Sequence, residues 1–420
     1  MALSTTSASE SMQQEQSAQQ SNKPKQPQHK HDRLITRDMA LVMLATFCFM
    51  SSNMLANPIV AGYAESLGAS GMLMGVVAGS MSFISLFCRP IAGNLSDKTS
   101  KRTLVAVGTV LYFAAGLLYY FANSPIMLIM ARVINGVGFA CCSVCLATWM
   151  SLLLPIRHMG AGMGLYGTMN ALAMAVGPAF GIRAQKYIGY RLTFLSSLVL
   201  AAIMLIATLM VKNGGQPVRK KQTSISATKK HRFSIRSILE PRVVPLSLTF
   251  MMFAIAYFAN QSFIVSYVQS RHLPVSSDLF FMFYAVALLV LRLGLRDLFD
   301  SKGFRFWLTV CSLGMLAMLA CMTFLFNDWM LLLAAIFTAV GYGLMSSVTQ
   351  AQAVVIAGRE RSGIANSTYF AGIDLGMSVG PFVGGLVYGH LPAVWFYPVF
   401  MLAMPVAWLI YLLCVKRVSR

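Results

Sequence analysis

The chain has 420 residues, 57% of them hydrophobic and only 11% charged, and a mean hydropathy of +0.67. A soluble domain of that composition would aggregate, so the bilayer has to be its solvent, and lipid leaves only helices or closed barrels, in which every backbone polar group is satisfied internally. The apolar runs exceed strand length, and the formal charge of +20 lies between them, where membrane topology explains it better than nucleic acid does.

Residues 1–34 are rich in Ser, Gln and Lys and hold no apolar core, so a disordered cytoplasmic tail is expected there. It is not a signal peptide, because the first apolar run starts only after Arg37 and is long enough to span. Stretches near the roughly 20 residues that cross a bilayer follow at 38–61, 70–92, 103–122, 126–151, 159–184, 192–211, 243–268, 278–296, 304–326, 329–352, 362–386 and 391–415. The pattern predicts an all-α membrane protein of twelve transmembrane helices in two pseudo-symmetric six-helix bundles. The N-terminal bundle covers 35–212, a basic Ser/Thr-rich cytoplasmic linker 213–242, the C-terminal bundle 243–415, and a short cytoplasmic tail 416–420.

With the N-terminus inside, one side collects Lys23, Lys25, Lys30, Arg33, Arg37, Lys98, Lys101, Arg102, Arg219, Lys220, Lys221, Lys229, Lys230, Arg232, Arg292, Arg296, Lys302, Arg305, Lys416 and Arg417. The opposite loops offer Arg183, Lys186, Arg191 and Arg271. Both termini are therefore expected in the cytoplasm, for a multi-pass protein of the inner (cytoplasmic) membrane. All eight cysteines fall in apolar spans without a CxxC pair. Cys141, Cys142 and Cys145 share one helix and could hold a soft metal, but with no His or carboxylate nearby they read as packing.

The two halves align at an offset of about 203 residues. Arg89 then matches Arg292, Asp97 matches Asp300, Asn57 matches Asn260, Tyr166 matches Tyr369, and Gly177-Pro178 matches Gly380-Pro381. Gly136 and Gly138 match Gly341 and Gly343 at an offset two larger. Between the second and third spans runs Arg89-Pro90-Ile91-Ala92-Gly93-Asn94-Leu95-Ser96-Asp97-Lys98-Thr99-Ser100-Lys101-Arg102.

This segment resembles the G-x-L-a-D-r-x-G-r-[KR] loop signature of the major facilitator superfamily, with Ser100 in place of the second glycine. The likeness extends from about residue 35 to 415. It implies a gating role for Arg89, Gly93, Asp97, Lys101 and Arg102, and for Arg292 and Asp300 of the second copy, in which Asp97 pairs with bases or a helix N-terminus and holds the halves together; a solvated loop that only sets topology is the alternative. The second copy keeps Arg292, Asp300 and Gly303 but has Arg296 where a glycine belongs. Arg132-Val133-Ile134-Asn135-Gly136-Val137-Gly138 resembles a second family signature, R-x-x-q-G-x-g. Arg132 is expected either to serve function as an intramembrane charge or to snorkel to the outer interface. Gly177, Pro178 and Gly181, and more fully Gly376, Gly380, Pro381, Gly384 and Gly385, resemble an element associated with exporters; physically they permit close helix packing and a kink.

Asp374 is the one acid near the middle of a span. A carboxyl there can take up a proton and release it as a cavity opens to either side, or it can tie spans together through Tyr369 or Asn366. Asn53, Asn57, Asn135, Asn260, Gln261, Tyr342 and Tyr369 sketch a mildly polar cavity, with helix-to-helix hydrogen bonds as the alternative. No Walker loop, carboxylate pair or Ser-His-Asp set is present, so no enzyme is expected, and no cofactor; energy comes from an ion gradient, a proton gradient first. The first reading is proton-coupled export of a small organic solute by a monomer. Proton-coupled import of a sugar-like or carboxylate solute, with Arg132 on the anion, and a non-transporting receptor or scaffold are the alternatives.

Overall fold

The structure, a computed structural model, describes residues 36–154, 159–216, 240–295, 298, 302–357 and 362–418. The expected tail 1–34, most of the linker, Arg296 and residues 358–361 lie outside these residues. Among the described residues ten helices are long and apolar enough to cross a membrane, because in lipid each such run closes its own backbone hydrogen bonds. The first half holds α1 (Arg37–Ser66), α2 (Gly71–Lys98), α3 (Lys101–Phe121), α4 (Pro125–Leu153) and α5 (Met159–Met210). The second holds α6 (Val244–Ser270), α7 (Asp278–Gly294), α8 (Phe304–Thr323), α9 (Asp328–Ala357), α10 (Ser362–His390) and α11 (Ala393–Cys414).

Two elements depart from simple spans. The 52 residues of α5 are two helices joined at Gly189, whose φ of 76° and ψ of 172° belong to a region essentially closed to other residues. In α9 the segment Ala339–Leu344 winds as a π-helix, which places Gly341, Tyr342 and Gly343 on a widened turn of the kind found at functional sites. It also sits where the repeat offset leaves its constant value.

Side chains that face outward form an apolar belt. Phe87, Ile126, Trp329 and Leu413 are each more than 60% exposed, as suits a surface solvated by acyl chains. Inside, α1 lies along α5, and α6 along α10. Each contact runs over the same repeated glycine. A Cβ on Gly177 of α5 would stand 2.8 Å from the Met54 Cβ of α1, and one on Gly380 of α10 would stand 2.5 Å from the Ile255 carbonyl oxygen of α6. Glycine is what lets these backbones meet, and Pro178 and Pro381 sit next to the contacts, inside their helices.

The two halves touch through α2 against α10, α1 against α6, and α5 against α7. The α2–α10 contact is again backbone on backbone. Added Cβ atoms on Gly75 and Gly79 would stand 2.5 Å from the carbonyl oxygens of Pro381 and Ser378. At the same end of the bundle the Tyr388 hydroxyl donates to Glu65 at 3.1 Å, and Arg183 pairs with Asp278 at 3.3 Å.

Candidate functional site

The signature segment is not a loop. Helix α2 runs on past Pro90 to Lys98, and Ser100 already caps α3, so Arg89 stands inside a membrane helix instead of at its mouth. Arg132 is therefore not the one basic residue inside a span, since Arg89 lies within α2, while Arg292 stands in the last turn of α7. Helix propagation explains the difference: once α2 is formed, each further residue adds a hydrogen bond, and the polar residues after Ala92 carry no break.

Arg89 reaches across to the second half. Its Nη2 donates to Asp374 Oδ1 at 3.0 Å, and its Nε lies 2.6 Å from Oδ2. This is the paired fork geometry that makes Arg–carboxylate contacts strong. The Asp374 side chain is 3% exposed and that of Arg89 is 23% exposed. The guanidinium also lies over the Phe139 ring of α4, 5.4 Å from its centre. The partners expected for Asp374 are engaged elsewhere: Tyr369 donates to the Ser346 carbonyl at 3.0 Å, and Asn366 accepts from Gln350 at 3.2 Å.

Around Asp374 stands an aromatic column. Tyr342, on the π-helical turn, stacks on Tyr257 with ring centres 4.0 Å apart and planes within 1°. Phe250 lies 5.5 Å from Tyr342 and 5.4 Å from Tyr369. Arg292 acts electrostatically on Tyr284, Tyr342 and Tyr369, and Asp374 acts on Tyr342 as well. The Arg89–Asp374 pair, Tyr369, Tyr342 and Arg292 thus lie in one neighbourhood.

Arg132 belongs to another structure. It is buried, and its guanidinium donates to the Val77 and Ala78 carbonyls at 3.2 and 2.5 Å and through two nitrogens to Asn57 Oδ1 at 3.2 Å. It pins α1, α2 and α4 together and does not reach for an interface. From Asn57 a polar thread continues, since both Asn57 Nδ2 and Gln261 Nε2 donate to the Met54 sulfur, at 3.9 and 3.8 Å. It joins the two halves. Asn260 accepts from the Tyr397 hydroxyl at 2.9 Å, while both polar atoms of Asn53, Asn135 Oδ1 and Gln261 Oε1 are buried without a partner.

The rest of the signature ties the start of α3 to the end of α5 and to α2. Ser100 donates to the Gly214 carbonyl at 2.8 Å, Lys101 Nζ donates to the Ser96 carbonyl at 2.5 Å, and Arg102 donates to the Val211 carbonyl. Asp38 accepts from the Lys212 and Asn213 amides at 3.2 and 3.0 Å, and Trp149 donates to the Asn213 carbonyl at 2.9 Å. The start of the expected linker is therefore docked onto α1, α3 and α4. Gly93 meets nothing that a Cβ would strike. The Asp97 side chain and Asp300 lie outside the described residues.

Sequence reasoning missed Arg183 with Asp278, Glu65 with Tyr388, and the glycine stripe Gly71, Gly75 and Gly79. The spacing of four in that stripe was its only signal. The charges near span ends gave no hint of pairing across the halves.

Apolar helices in two related halves, joined through a buried ion pair and backed by aromatic rings, define a multi-pass membrane transporter. The family model described as Major Facilitator Superfamily matches residues 42–328 and 303–420, and the chain belongs to that superfamily, whose members are transporters and not enzymes. An uncharacterized MFS-type transporter of Methanocaldococcus jannaschii is 24% identical over 371 residues, covering 85% of this chain and 92% of that protein. Multidrug resistance protein 2 of Bacillus subtilis is 18% identical over 338 residues, covering 79% and 84%. Among solved structures, a point mutant of the nucleoside transporter NupG superposes with a TM-score of 0.73 at 13% identity, covering 90% of this chain and all of that one.

Proposed function

We propose that the chain exports a small organic solute in exchange for protons by alternating access, through twelve spans with both termini in the cytoplasm. The observation that carries the reading is the Arg89–Asp374 pair, one partner from each half and the carboxylate buried. A proton on Asp374 removes its charge and with it the attraction that joins α2 to α10, so the equilibrium between closed and open arrangements becomes linked to proton binding. Twelve spans follow if α5 is counted as two helices about Gly189 and the 17 residues of α7 as one. Cytoplasmic termini are supported by the bases gathered at the α1-start end, among them Lys98, Lys101, Arg102, Lys302 and Arg305. Export is supported by the Gly-Pro element of α5 and α10 and by the relative named for multidrug resistance.

The test is counterflow in proteoliposomes under an imposed pH gradient, with small carboxylates, nucleosides and amphipathic cations offered in turn. Wild type is expected to move at least one class in the direction the gradient dictates, and Asp374→Asn to lose the gradient drive by about tenfold or more. Equal proton-driven flux in the two proteins removes Asp374 from coupling. Absence of any exchange in wild type removes the transport reading itself and favours a receptor or scaffold.

A further inference from the structure

The two halves carry copies of one arginine, and only one copy has its acid. Arg89 faces Asp374. Carried back by the repeat offset of about 203 residues, the position of Asp374 falls on Ala171, so the first half offers Arg292 no matching carboxylate. Among the described residues no acidic oxygen lies within salt-bridge reach of Arg292, and its Nε is buried with no hydrogen-bond partner. Its surroundings are suited to a ligand. Leu288, one turn before it, packs on Gly343 of the π-helical turn, which brings the end of α7 beside Tyr342 and the Tyr369–Ser346 contact.

The charge balance runs the same way. The described acids Asp38, Glu65, Asp278 and Asp328 lie at helix ends, where Arg183 takes Asp278; Asp374 is the described acid away from a helix end, and it is taken by Arg89. Arg132 has its guanidinium committed to Asn57 and two carbonyls, and Arg89 is neutralised by Asp374. Among the described residues Arg292 has no acidic partner; it is half-buried in the last turn of α7 with its Nε shielded from water, and a donor so shielded is costly to leave without an acceptor. We infer that the transported solute is a small oxyanion, bearing a carboxylate or phosphate, and that Arg292 receives its charge beside Tyr342 and Tyr369. When Asp374 is protonated, Arg89 becomes available as a second cation for the same solute.

The inference rests on the transport reading for there being a solute, but it is tested by equilibrium binding with no pH gradient, so a failure of anion binding and a failure of proton coupling register separately. The full chain in detergent is titrated with benzoate, inorganic phosphate and, as a neutral counterpart, benzyl alcohol. Wild type is expected to bind at least one anion about tenfold more tightly than benzyl alcohol, Arg292→Gln to lose about tenfold, and Arg292→Lys to retain part of the affinity. Arg292→Gln that binds within about twofold of wild type, a preference for benzyl alcohol, or no anion binding by wild type overturns the assignment. Native mass spectrometry after extraction separates a free solute from a headgroup. Phosphatidylglycerol retained by wild type and lost from Arg292→Gln gives the site to a lipid phosphate and overturns the solute reading.

Discussion

Arg89, Arg132 and Arg292 are three arginines in one apolar bundle with three different settings at the guanidinium. Arg132 is held by neutral acceptors, so its deletion strands the Asn57 amide and leaves a void where three helices meet. Leaving a buried acceptor of this kind unsatisfied costs about 1–3 kcal/mol. Arg132→Gln is expected to lower the thermal midpoint by a few degrees in a detergent melt, while Arg132→Lys recovers little because a point charge cannot span the Asn57 and Val77 acceptors. A midpoint unchanged in Arg132→Gln would show that α1, α2 and α4 are held without it. Ser100 shows how local chemistry replaces a signature residue. Its φ of −63° makes no demand for the glycine usual in the family signature, and its hydroxyl gains the Gly214 carbonyl that a glycine could not reach.

Between elements, glycine decides how close two helices stand. The α2–α10 seam depends on Gly75 and Gly79 because carbonyl oxygens of Pro381 and Ser378 occupy the space a Cβ needs. Backbone yields less easily than a side chain, so Gly79→Leu forces the helices apart. Disulfide capture between cysteines introduced at Ser80 and Val379, on a background without reactive cysteines, is expected to fall by about tenfold in Gly79→Leu, and undiminished capture would mean the seam is not set by glycine. Gly189 is a different case, since a φ of 76° with ψ of 172° is strained for any L side chain, and Gly189→Ala costs about 1–3 kcal/mol.

At the scale of the whole molecule two ion pairs among the described residues bridge the halves, and they are unequal. Arg183 is 62% exposed in its pair with Asp278, whereas Asp374 is 3% exposed in its pair with Arg89. An exposed pair contributes about 0–1 kcal/mol, less than about fivefold in an equilibrium. Spin labels at Lys186 and Trp329 report the separation of the halves at the end closed by the α2–α10 glycines. Asp278→Asn is expected to change the closed fraction by less than about fivefold, and Arg89→Gln by more than about tenfold. The reverse order would place the controlling latch at the exposed end.

How much of this was legible in the residues follows from the range of each interaction. Apolar runs, the duplication at a nearly constant offset, the glycine–proline elements and the mid-span place of Asp374 are legible along the chain, and the requirement that lipid-exposed backbone satisfy itself makes each run a helix wherever it sits. The partner of Asp374 is 285 positions away, and neither spacing nor periodicity relates two side chains from separate bundles. The second span was read to end at residue 92 because apolarity ends there, while hydrogen bonding carries α2 on to Lys98. Sequence by itself therefore determined the solvent, the helices and the repeat. Only the packing of one half against the other decided which of the described charges are neutralised, which are clamps and which have no acidic partner, because electrostatic energy in a low dielectric depends on distances that the chain order does not contain.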